Sequence, residues 1–136
     1  MNHEKLLAAI WKKLKENTTD AGVCEDLYYV SYEAMHDNKP LALKYGLMLS
    51  EEMERSIPIA IKAGAIPSRL VDVHRNALKL CARDIFDSYL QFVEWARDPE
   101  KKFYMPRRSI LNDMVIRSMQ DLADDKLDLL TISLPP

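Results

Sequence analysis

Glycine is almost missing from this chain: there are three in 136 residues. None stands in a run, so the sequence holds no glycine-rich loop of the kind that cradles a phosphate. Cysteine is scarcer still. Cys24 and Cys81 lie far apart, with no C-x-x-C and no companion histidine spacing, which excludes a zinc-type site and suits buried thiols in a reducing compartment. An excess of one charge is also lacking. A formal net charge of -2 with 29% charged residues gives the whole molecule no strong field for DNA or a membrane surface, so any contact with nucleic acid must come from a local patch. Met1 to Lys15 carries charges throughout and has no long apolar run, which fits neither a signal peptide nor a membrane span. A cytoplasmic protein is expected.

What remains is ordinary globular material with helical punctuation. An apolar fraction of 48% over 136 residues is enough for one real core without disulfides or metal. No internal repeat or low-complexity segment interrupts it. Asn2 caps an expected helix to Glu16, with Leu6, Leu7, Ile10, Trp11 and Leu14 on one stripe. Asp20 caps a second from Ala21 to Asp37, with Val23, Leu27, Val30 and Ala34 inward. A third starts at Asn38-Lys39-Pro40, with Pro40 at the first helical position. It should end near Ser56, because Pro58 removes a helical hydrogen bond, and a short turn of helix should then close at Gly64 as a left-handed cap.

The longest expected element is a spine helix over about 69–97, some 40 Å long at ~1.5 Å per residue. Leu70, Val73, Ala77, Leu78, Cys81, Ile85, Tyr89, Phe92 and Ala96 form its apolar stripe, and Asp72, Arg75, Lys79, Arg83, Asp87 and Gln91 its polar side. A linker, Glu100 to Met105, leads to a last helix from Pro106 to about Asp124. Ile110, Leu111, Met114, Val115, Ser118 and Leu122 should face inward there. Leu127 to Leu134 then reads as a buried β-strand, short and rich in Leu, Ile and Thr. The fold class is therefore all-α, five to six helices in an orthogonal or bundle array, with one C-terminal orphan strand that would belong to a following α/β sheet.

Few constellations carry chemistry. No Ser-His-Asp or Cys-His arrangement follows from spacing, so no catalytic residue is assigned. Glu33 and His36 make an E-x-x-H pair, half of the ligand pattern of a di-iron bundle, but no second copy exists and no metal site is expected. His74 reads as a core or boundary histidine. Glu51, Glu52 and Glu54 look like a solvated face. Tyr28, Tyr29 and Tyr32 cover more than one face of the second helix, so at least one should be exposed or meet a partner. The best candidate is the basic patch Lys101, Lys102, Arg107 and Arg108. Phe103 and Tyr104 lie within it, a composition suited to phosphates and to stacking on a base. Arg107 and Arg108 also stand at a helix N-terminus, which favours an anion. The plain alternative is a solvated linker with Phe103 or Tyr104 tucked onto the core.

Three stretches, Asp87-Ser88-Tyr89-Leu90-Gln91-Phe92-Val93-Glu94-Trp95, Pro99 to Arg108 and Leu122 to Pro136, together resemble the N-terminal part of the large terminase subunit of tailed bacteriophages. The resemblance is specific from about Asp87 to Pro136; over Met1 to Phe86 it extends only to helix order and proline placement. In that family the equivalent of Ser133-Leu134-Pro135-Pro136 runs into the Walker A loop. The resemblance implies a DNA-packaging motor in the host bacterial cytoplasm, an ATPase joined to a nuclease that uses ATP and Mg. The implied partners are the rest of the large subunit, the small terminase subunit, the portal and viral DNA, with oligomers and without a membrane.

It also implies that the segment ahead of the P-loop helps hold adenine and phosphates. By position that role falls to Phe103, Tyr104, Pro106, Arg107 and Arg108, and more weakly to Gln120. Walker A, Walker B and the nuclease aspartates would lie beyond Pro136, so this chain alone is expected to be no enzyme and to bind no cofactor of its own. Residues 1–98 would form a helical accessory domain, and 99–136 the linker, helix and first strand leading into the ATPase. The rival reading is a stand-alone, phage-derived helical interaction module or regulator.

Overall fold

The computed structural model describes residues 2–106 and 115–125. All regular structure among them is helical, in the order α1 (His3–Glu16), α2 (Ala21–Asp37), α3 (Lys39–Lys62), α4 (Ser68–Cys81), α5 (Phe86–Val93), a 3-10 turn (Pro99–Lys101) and α6 (Arg117–Ala123). The expected strand 127–134 and the start of the last expected helix lie outside the described residues. No described helix is long and apolar enough to cross a membrane. The chain divides into two compact units, 1–81 and 82–136. The boundary expected after 98 falls within the second.

In the first unit α2 packs against α1, α3 and α4, and α3 against α4. The core joins Leu7 and Leu14 to Cys24, Leu27, Ala34, Leu49, Met53, Val73 and Ala77, all buried. Side-chain oxygens start three of its helices. Asn2 accepts from the Lys5 N–H at 3.2 Å, Asp20 from Val23 at 3.3 Å and Asn38 from Leu41 at 3.2 Å. Each satisfies an N–H that the first turn leaves without a helical partner. Asn38 is thus the cap, and Pro40 follows Lys39 within the first turn.

The helix α3 does not stop at Ser56 as the proline suggests; it continues through Pro58 to Lys62. Pro58 lies on the exposed side, while Met53, Ser56 and Ala60 stay buried on the other. Burial on that face outweighs the one lost hydrogen bond. The end comes at Gly64, with φ +83. There the Ala65 N–H donates to the Ala60 carbonyl and the Gly64 N–H to that of Ile61, both at 3.0 Å, the paired bonds of a left-handed glycine cap.

Glu52 departs from the solvated face expected for its acidic neighbours. It is 4% exposed, and its carboxylate accepts from Lys15 Nζ at 3.5 Å and from Arg55 Nε at 3.2 Å. A buried carboxylate needs such partners, because removing one from water unpaired is costly. Its charge also acts on Cys24. Burial first, then Asp20, Glu52 and Glu25, push that thiol up to about 12. Since the thiolate is the reactive form, Cys24 in the folded chain is expected to resist a maleimide at pH 8 and to react once urea unfolds the protein. Mass spectrometry of the adduct before and after unfolding checks this.

The contact of α3 with α4 is tight at Gly46. A Cβ built there would lie 2.8 Å from Cys81 Sγ and 3.3 Å from Leu80 Cδ2. Cys81 is fully buried, so the sulfur has little room to move. Gly46→Ala gains about 1 kcal/mol of helix propensity but meets an overpacking cost of ~1–3 kcal/mol. A net destabilisation is expected in urea unfolding. It should shrink in a Cys81→Ala background, where the opposing sulfur is gone.

The expected spine helix is two helices. It ends at Cys81, turns through 82–84, passes Ile85 in an extended conformation (φ -119, ψ 113) and restarts as α5. No proline or glycine marks the break. Its cause is Gln120, whose amide nitrogen donates to the Asp84 carbonyl at 2.7 Å and whose oxygen accepts the Phe86 N–H at 2.6 Å. One side chain thus satisfies backbone groups on both sides of the interruption. The extended residue also resets the phase of α5. Ser88 and Gln91 are buried, whereas Tyr89, expected inward, is 46% exposed. In α6, Ile116 just ahead of the helix is buried, and Leu122, also expected inward, is 39% exposed.

Candidate functional site

The polar residues that face inward from α5 build the site. Asp87, Gln91 and Glu94 stand at i, i+4 and i+7, which places them on one side of a helical turn. Beyond Val93 the chain turns at 94–98, makes the 3-10 turn and extends at Lys102 (φ -78, ψ 130). It then returns to where it left. The Glu94 carboxylate accepts the Phe103 N–H at 2.8 Å, the Tyr104 N–H at 3.1 Å and Arg97 Nη1 at 3.4 Å. Next to it the Tyr104 hydroxyl donates to the Asp87 carboxylate, which also accepts Gln91 Nε2 at 2.8 Å. Two carboxylates on one helix therefore close the loop 94–104.

Glu94 is 6% exposed. Burial raises its carboxyl pKa, but the N–H groups of Phe103 and Tyr104, the Arg97 guanidinium and the Met105 N–H outweigh that and hold it below the ordinary carboxylate value. Donors aimed at the charged form do this wherever they surround a carboxylate.

The loop separates the two aromatics that the sequence sets side by side. Tyr104 is 5% exposed and Phe103 is 82% exposed. Phe103 lies on an open cleft of about 750 Å³ with Arg97, Lys101, Lys102, Asp98 and Glu100. Arg97 sits over its ring, 5.8 Å from the centroid. Lys101 reaches Asp98 at 3.9 Å across a well-exposed pair, which water screens strongly. The cleft thus offers an aromatic face with three cations around it, and it can take a planar ring and an anion together.

Of the residues singled out from sequence, Phe103, Lys101 and Lys102 come together here. Tyr104 is the inner anchor, and its ring is unavailable for stacking. Pro106 is exposed, after a cis peptide bond from Met105. Gln120 serves the break at 84–86, and Arg107 and Arg108 lie outside the described residues. Glu94 and Arg97 were missed. The signal for Glu94 was the D-x-x-x-Q-x-x-E spacing from Asp87, of which the continuous spine helix put Asp87 and Gln91 on its polar side; Arg97 had no comparable signal. At the far end of the chain, His3 lies 4.0 Å from Glu33 and 3.7 Å from Asp37. Among the described residues no three His, Cys, Asp or Glu side chains gather as a metal site.

No family model matches the chain, and no curated protein or solved structure matches it significantly.

The lowered Glu94 value has a consequence for stability. The contribution of this carboxylate is fully present above its ordinary value, 4.5, and is lost as pH falls through the lower folded value. Glu94→Gln is expected to destabilise the protein at pH 7. The difference from the parent should narrow progressively below about pH 4.5. Urea unfolding of both proteins across that range, followed by the fluorescence of neighbouring Trp95, measures it.

Proposed function

We propose that this chain is the helical N-terminal region of a tailed-phage large terminase subunit, and that its loop 94–104 forms the wall of the motor's nucleotide site. The observation that carries the proposal is the exposed Phe103 with Arg97, Lys101 and Lys102 around one cleft, within the stretch from about Asp87 to Pro136 that resembles that family. In this reading Phe103 stacks on the base. Arg97, Lys101 and Lys102, with Arg107 and Arg108 following, neutralise phosphate charge, and Glu94 and Tyr104 hold the loop from inside. Gln120 supports the fold and makes no nucleotide contact. The chemistry of ATP hydrolysis belongs to the P-loop, the Walker B acids and Mg of the parent motor, and this chain alone turns over no ATP. The helices of residues 1–81 form the accessory unit through which the motor meets other proteins.

The test is a titration of Mg-ATP into this chain and into a version extended through the following ATPase domain. The extended protein is expected to bind. Phe103→Ala should weaken it by about tenfold, the size of one lost base–aromatic stack of ~1–3 kcal/mol. Lys101→Ala with Lys102→Ala should weaken it further at low salt. Binding that is indifferent to Phe103 makes the loop structural and leaves the interaction-module reading in its place.

A further inference from the structure

The outward face of α2 belongs to the other unit and plays no part in the proposed nucleotide site. Two of its tyrosines are unusually open for large rings on a packed helix: Tyr29 is 60% exposed and Tyr32 is 54% exposed. Half-buried Tyr28 links them, with ring centroids 5.5 Å from Tyr29 and 6.2 Å from Tyr32, so the three rings make one continuous surface. Asp26 and Glu33 are exposed beside them. From Glu16 to Asn38 the sequence contains six acids and no lysine or arginine. His3 from α1 lies 4.0 Å from Glu33, and Arg69 from α4 reaches α2, its guanidinium held by Glu25. Its presence there draws the Glu25 carboxyl below the ordinary value.

We infer that this face of α2 is a docking surface for an arginine-bearing segment of a protein partner. Charge complementarity sets the choice. The face repels phosphate, so nucleic acid is the wrong occupant, and an apolar partner would cover Asp26 and Glu33 at a desolvation cost that it does not itself offset. A guanidinium meets both features at once, because it stacks flat on a tyrosine ring and forks onto a carboxylate. Glu25 and Arg69 already make that second contact at the margin of the same face. Tyrosine and arginine are also the residues that carry most of the energy at protein interfaces.

Titration of the full chain with a short oligoarginine peptide, followed by amide shifts in an NMR spectrum, tests the inference. Oligolysine of equal length serves as the comparison. The expected result is saturable shifts centred on Tyr29, Tyr32 and Glu33, with oligoarginine bound more tightly. Tyr29→Ala with Tyr32→Ala changes no charge and is expected to reduce affinity about tenfold. Asp26→Asn with Glu33→Gln should do the same while leaving the tyrosines in place. All four side chains are exposed, and an unchanged dispersed spectrum shows that the fold has survived. Equal binding of the two peptides, or affinity unmoved by loss of the tyrosines, reduces the face to generic electrostatics and overturns the inference. So does a chain dimer that dissociates on Tyr29→Ala with Tyr32→Ala, which would assign the face to a second copy.

Discussion

A carboxylate removed from water has to be surrounded by donors, and Glu94 obtains its donors from a segment about ten residues further along the chain. The need sets the course of everything between. The Phe103 and Tyr104 N–H groups are in a stretch with no helical or sheet partners, so both sides of the contact gain from it: the backbone donors are satisfied and the charge is compensated. Arg97 adds a third donor from inside the loop. With the backbone pinned at 103 and 104, where the chain bends, the two side chains part. Tyr104 turns inward to Asp87, and Phe103 is left facing water over the cleft. The aromatic surface of the site is thus a by-product of satisfying one buried charge.

The first unit solves the same problem in a different way. Glu52 is as buried as Glu94, but its donors are the side chains of Lys15 and Arg55, with half or more of each cation in water. A pair of that kind compensates charge without directing the backbone. Its effect is on the interior: the negative field at the α2–α3 contact adds to burial in keeping the Cys24 thiol protonated. One carboxylate organises a loop and the other only conditions its surroundings. The difference lies in whether the donors are main-chain or side-chain groups.

The parts that were legible were those governed by local rules. Asn2, Asp20 and Asn38 cap helices because a short side-chain oxygen meets a vacant N–H, and Gly64 caps α3 because only glycine adopts that backbone cheaply. Those needs are written within four residues. Pro58 misled because its local cost is real but smaller than the burial of Ser56 and Ala60 on the same helix, which no local reading weighs. The break after Cys81 misled in the opposite direction, since nothing local demands it. It is made by Gln120, more than thirty residues away, and with the phase lost Tyr89 turns out and Gln91 turns in. Asp87 and Gln91 were therefore turned toward solvent and Glu94 was given no role, so the residues that build the site were passed over. The basic aromatic segment was visible as composition, but which ring faces the cleft depends on Glu94.

Two of the exposed surfaces among the described residues differ in chemistry, and each lies within a different compact unit. In the first, α2 shows tyrosines among acids. In the second, the cleft shows a phenylalanine among cations. A net charge of -2 is a sum over the whole chain and describes neither surface. At physiological ionic strength charges are screened over about 8 Å, so a ligand at either surface experiences the local field and not the total. The nucleotide contacts proposed for the cleft and the arginine contacts proposed for α2 therefore draw on different residues.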